Sequence, residues 1–165
     1  MAETTSVIAP PGTPTIVITR IFDAPRRLVW EAATRPELVR RWWGPCNSEM
    51  LTCEMDFRVG GAWRNVLRMP HDGSVHGFHG VYREIVPHER IVQTFIYEPF
   101  PTNEAIETCE LVEHGGITKM TITIRHSSVE MRDGHLASGM ERGLGETHAR
   151  LDAVLAELVN IRSAS

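Results

Sequence analysis

The chain has 165 residues, 42 % hydrophobic and 23 % charged, the balance of one globular domain able to bury an ordinary core. A net charge of −4 argues against nucleic acid or an anionic membrane as main partner, and no apolar run approaches the ~20 residues of a membrane span. Cys46, Cys53 and Cys109 are odd in number and widely spaced, so they read as reduced thiols of a cytoplasmic protein rather than a disulfide framework.

Residues 1–14 are rich in Ala, Thr, Pro and Gly and lack the basic and apolar regions of a secretory signal, so a disordered leader is expected there. The domain then spans residues 15–161. Thr15–Phe22 is β-branched and reads as a strand. Asp23-Ala-Pro25 predicts the cap of a short helix with Leu28, Val29, Ala32 and Ala33 inward. Thr34-Arg-Pro-Glu37 reads as a capping box opening a second short helix with Leu38, Val39, Trp42 and Trp43. The two tryptophans are about 100° apart on a helix, so only one is expected to point inward. Arg26, Arg27, Arg35, Arg40 and Arg41 make this corner basic, either a solvated face or a contact for an acidic group.

From there to Ser127 the pattern is strand and turn. Leu51, Cys53, Met55 and Phe57 alternate with polar residues, and Trp63, Asn65, Leu67 and Met69 alternate with Arg64, Val66 and Arg68. Turn signals at Gly60-Gly61, His71–Ser74 and His114–Gly116 separate strands short enough in linkage for antiparallel neighbours. Val75–Val86, Ile91–Tyr97 and Glu104–Glu113 follow. Ile117–Arg125 is cleanly amphipathic, with Met120, Ile122 and Ile124 on one side.

Ser138–Ile161 predicts the long final helix, roughly 35 Å at 1.5 Å per residue. Ser138 and Glu141 read as its capping box, and Met140, Leu144, Leu151, Val154, Leu155 and Leu158 form one stripe. Gly139, Gly143 and Gly145 each cost about 1 kcal/mol of helix propensity and leave the first turns without bulk. Either a neighbouring element approaches closely there, or something other than core packing fills the space. The order β-αα-β6-α implies an α+β domain: a seven-stranded antiparallel sheet whose apolar face curls around the last helix and encloses a cavity.

Thr19–Pro25, Val29-Trp30, Arg41–Pro45, Asp56–Gly61, Gly80–Pro87 and Glu89–Val92 together resemble, in order, the bacterial homologues of the heat-shock-protein-90 ATPase activator. The resemblance covers about residues 15–160 and implies the START-like, Bet v-type helix-grip fold, shared with polyketide cyclases and lipid-transfer proteins. Relatives commonly carry Gly-Trp in the final helix where this chain has Gly143-Leu144, which changes the volume of any pocket.

Trp42, Trp43, Trp63, Phe78, Tyr82 and Phe95 are candidate walls for a flat apolar ligand, or simply core. With them go Leu67, His79, Met120, Ile122, Met140, Leu144 and His148 as ligand-binding candidates. His76 and His79 are an odd number apart on a strand and do not converge on a metal, so neither a metal nor a cofactor is expected. No nucleophile elbow, P-loop or dinucleotide fingerprint is present. The leading reading is a protein that binds a small hydrophobic or aromatic molecule. The competing readings are a cyclase- or hydrolase-type enzyme using His79 or His148, and a co-chaperone that stimulates a chaperone ATPase. A chaperone partner and a homodimer stay open.

Overall fold

Alternating apolar residues make every long strand two-faced, and the fold follows from covering the apolar side. The structure is a computed structural model that describes residues 5–164, with side chains through Ile161. Its elements in chain order are β1 (Ser6–Ile8), β2 (Thr15–Phe22), α1 (Arg26–Thr34), α2 (Pro36–Trp42), β3 (Glu49–Met55), β4 (Ala62–Arg68), β5 (Val75–Val86), β6 (Arg90–Tyr97), β7 (Ala105–His114), β8 (Ile117–Arg125), α3 (Val129–Ala137) and α4 (Met140–Ala164). One antiparallel sheet runs β1-β2-β8-β7-β6-β5-β4-β3, so the first long strand closes against the last. This is the helix-grip arrangement, with eight strands rather than the seven expected from sequence.

The additional strand lies where a disordered leader was expected. Ser6–Ile8 pair with Val17–Thr19, and Val7 packs beside Ile16, Ile18 and Ile124. The segment that follows is tied down as well, because the buried Arg132 of α3 donates to the carbonyls of Pro10 at 2.8 Å and Thr13 at 2.7 Å. A polar, Pro-rich composition does not prevent order when a buried guanidinium needs backbone acceptors.

Three predicted caps are replaced. Pro25 and Arg35 are the N-cap residues of α1 and α2 and neither gives a side-chain cap, while Thr34 Oγ1 turns back to Trp30 O at 2.7 Å. Ser138 ends α3 instead of opening α4, its hydroxyl donating to His135 O at 2.6 Å. Gly139, at φ +85°, then breaks the chain between the two helices. The left-handed conformation there suits only glycine well, so α3 and α4 are separate elements where sequence periodicity predicted a single start.

The two halves of α4 do different work. Leu151, Val154, Leu155 and Leu158 enter one cluster with Phe22, Leu28, Val29, Leu111 and Met120, joining the sheet to α1 and α2. Met140 and Leu144 touch a second, smaller cluster around Ile16, Ile18 and Ile124. In the basic corner Arg35 is ion-paired with Glu31 and Glu37, and Arg41 with Glu157 of α4. Leu151 is 1 % exposed. Leu151→Ala should cost about 2–5 kcal/mol in urea denaturation. A loss under about 1 kcal/mol would mean that α4 does not anchor the sheet.

Candidate functional site

The strands place their inner residues in rows across the concave face. Register puts Ile16, Ile124, Glu107, Gln93 and Tyr82 in one such row, from β2 through β8, β7 and β6 to β5. Above these rows, the first turns of α4 leave a cavity of about 310 Å3. Gly143 lines it, and a Cβ added at Gly143 would meet no atom within 4 Å. The space under these turns is therefore open, and close approach of a neighbouring element does not account for the glycine.

One wall is aromatic and continuous. Trp43 meets Phe78 edge-on at 5.3 Å, Phe78 lies 5.7 Å from Phe95, and Phe95 lies 5.7 Å from Trp63. Trp63 is held by its indole N–H donating to Thr94 O at 3.2 Å. That bond passes over Gly80, the residue opposite Trp63, where any Cβ would fall 1.8 Å from the same carbonyl. Trp42 and Trp43 both line the cavity, contrary to the helical expectation. Trp43 is already outside α2, at φ −71° and ψ 117°, so the 100° rule of a helix does not apply to it. The turn after it is fixed by Arg150 of α4, which donates to Gly44 O at 2.9 Å, Pro45 O at 3.0 Å and Arg41 O at 3.0 Å.

Of the residues singled out from sequence, Trp43, Trp63, Leu67, Phe78, Phe95, Met120, Ile122, Met140, Leu144 and His148 all line the cavity. His79 does not. It lies on the outer side of β5, 2.9 Å from Glu98, which also receives Arg64 at 2.8 Å. These two partners hold the Glu98 carboxyl down at about 2, Arg64 being the stronger. His148 is 2 % exposed, accepts or donates at Nδ1 to Thr5 Oγ1 at 2.8 Å, and is pushed down to about 4 by burial and by Arg20. It is a neutral imidazole at physiological pH, not a solvated helix-edge histidine.

Apart from His148, sequence reading did not single out the polar members of the lining as candidates. Asn65 is buried, and its Oδ1 has no hydrogen-bond partner among the described residues. Gln93 Nε2 reaches Glu107 Oε1 at 3.5 Å, the outer limit of a hydrogen bond. Glu107 is half-buried on the cavity wall, and burial alone raises its carboxyl from 4.5 to about 7. The signal was available in the strand period: Glu107 stands between Ala105 and Cys109 on the face that also carries Leu111, and Gln93 between Ile91 and Phe95.

With this geometry established, comparison with known proteins gives the family. The model of the Activator of Hsp90 ATPase homolog 1-like protein family matches residues 23–156. The chain belongs to this family. Solved structures agree in fold. A protein from Rhodobacter sphaeroides is 26 % identical with a TM-score of 0.83, covering 93 % of this chain and 99 % of its own. One from Arthrobacter aurescens is 27 % identical with a TM-score of 0.81, covering 92 % and 91 %. Protein Ms6760 from Mycobacterium smegmatis, at 23 % identity and a TM-score of 0.82 over 93 % and 96 %, shows the fold alone. No curated protein matches. Among the described residues of this family member there is no cluster suited to a metal ion, and no helix is long and apolar enough to cross a membrane.

The raised Glu107 carboxyl has a consequence for stability. Below pH 4.5 both folded and unfolded chains carry the proton, and the burial cost is small. Between 4.5 and about 7 the unfolded chain ionises while the folded chain does not, so stability falls as pH rises. Above that window the penalty is complete, roughly 3 kcal/mol. Glu107→Gln should therefore match the parent protein at pH 4 and exceed it at pH 8, read as the difference between their urea midpoints. Equal midpoints at both pH values would place the Glu107 carboxyl in water.

Proposed function

We propose that the protein binds a small hydrophobic or aromatic molecule in the cavity between the concave sheet face and the first turns of α4. The observation that carries this reading is the open space at Gly143, about 310 Å3 across walls that are mostly aromatic and aliphatic. That volume is in the range of small-molecule sites, which are apolar with a few placed polar groups. A protein selected for packing alone gains by filling such a space, since each cubic ångström of cavity costs about 24 cal/mol. Here the helix is instead thinned at the cavity by Gly143, at about 1 kcal/mol, and carries Leu144 on the cavity wall. The aromatic chain Trp43-Phe78-Phe95-Trp63 offers ring faces and edges to a flat ligand.

The test uses 2-naphthalenemethanol, a neutral flat probe, followed by quenching of the tryptophan fluorescence to which Trp43 and Trp63 contribute. Binding should saturate at one probe per chain and slow amide exchange in residues 139–147 more than in 151–158. Leu144→Trp should raise the melting temperature and weaken the probe at least tenfold by occupying its space. Absence of saturable binding, or equal binding to Leu144→Trp, would leave the space as ordinary core.

A further inference from the structure

We propose that the ligand of this cavity carries a basic amine, which pairs as an ammonium with the carboxylate of Glu107. The inference rests on the binding reading above and names the class of molecule. Glu107 sits in the concave row between Ile124 of β8 and Gln93 of β6, and among the described residues its one side-chain hydrogen bond is the long 3.5 Å approach of the Gln93 amide. An ionised carboxylate offers about four acceptor sites, so most of its hydrogen-bonding capacity is unspent.

The buried guanidinium of Arg20, on β2 and beside the lining residue His148, is paired with Asp152. Among the described residues that line the cavity, none is Lys or Arg. The other titratable groups of the lining are neutral near pH 7. On β7 burial pushes the Cys109 thiol up to about 12, and on β5 burial raises the Tyr82 phenol further. On α3 burial holds His135 at about 4, and His148 of α4 is likewise about 4. The lining residues of β2, β4 and β8 are Ile18, Trp63, Asn65, Leu67, Met120, Ile122 and Ile124, none of them ionisable. Among the described lining groups Glu107 is thus the one that changes charge near neutrality, and the change puts an anion in an apolar wall with no cation among those residues.

That state is half of a buried ion pair. Removing one partner from such a pair leaves the other charge buried at high cost, so restoring the partner is strongly favourable. The desolvation of the carboxylate has already been met in folding, and the ligand contributes only that of its own ammonium. The aromatic wall adds to the preference, because ring faces attract a cation and repel an anion. Tyr82 stands opposite Gln93 at the end of the row that holds Glu107, and Phe95 lies two residues from Gln93 on β6, beside that row.

Three probes with one aromatic body separate the charge question from the cavity question: 2-naphthylmethylamine, 2-naphthalenemethanol and 2-naphthoic acid. At pH 8 the amine should bind at least tenfold more tightly than the alcohol, and the acid most weakly. Lowering the pH to 5.5 should reduce the amine's advantage about tenfold or more, as Glu107 takes up its proton, while the alcohol changes little. In Glu107→Gln the amine should fall to the level of the alcohol. An alcohol or acid that binds as tightly as the amine at pH 8 overturns the amine assignment and leaves the apolar cavity standing. So does an amine preference that survives Glu107→Gln. Failure of all three probes to saturate overturns the binding reading itself. Because the pH series is run on the unmodified protein, a variant that does not fold does not decide the result.

Discussion

The structure depends on one packed seam. The second half of α4 presents Leu151, Val154, Leu155 and Leu158 to Phe22, Leu111 and Met120, and the same cluster takes in Leu28 and Val29 of α1. Without it the sheet would expose an apolar face from β2 to β8, and α1 and α2 would have nothing to close against. Arg150 and Asp152 sit on either side of Leu151 and fasten the seam's edges. Arg150 takes the carbonyls at the end of α2, and Asp152 pairs with the buried Arg20 of β2. Among the described residues the largest buried apolar cluster lies at this end of the domain.

The cavity is a product of the same seam. A helix fixed along its C-terminal half holds its N-terminal half over the sheet whether or not that half packs tightly. Gly143 exploits the arrangement, since it lines the cavity and a Cβ there would meet no atom within 4 Å. The left-handed Gly139 lets α3 turn away, so that His135 enters the lining from the side. The open space thus adjoins the packed seam and shares Met120, Ile122, Cys109 and Trp42 with it.

The fold was legible in the sequence because its long elements obey one period throughout. Strand alternation in Ile117–Arg125 and the leucine stripe of Leu151–Leu158 put the right residues on facing surfaces. The failures were local. Ser138 has the composition of a capping box, yet its backbone belongs to the end of α3, a distinction made by the φ of Gly139 and not by residue type. β1 was missed because three residues carry too little periodicity; it is held by pairing with β2, while Thr5 before it and Pro10 and Thr13 after it are tied to His148 and Arg132, more than a hundred positions away. Within the site, the apolar and aromatic lining could be read from strand parity. His79 was misplaced because its parity puts it with Arg64 and Glu98 on the outer face. Glu107 and Gln93 went unnoticed although their parity places them inside, since a polar residue in an alternating strand is ordinarily read as the outward one.

Glu107 gains weight from what the chain does with its other charged groups in protected places. Arg132 is spent on two carbonyls and Asp133, Arg20 is paired with Asp152, and the neighbouring histidines are held neutral. Each such group is satisfied or discharged, as burial demands. Glu107 alone in the cavity wall retains a carboxyl that ionises near neutrality with one long hydrogen bond to support it. An alanine or valine in its place would keep the β7 ladder, whose bonds are made by the backbone, and would remove the burial penalty. The conflict between strand pairing that asks for nothing polar and a side chain that remains so marks the point where the cavity's chemistry, not the fold, sets the residue.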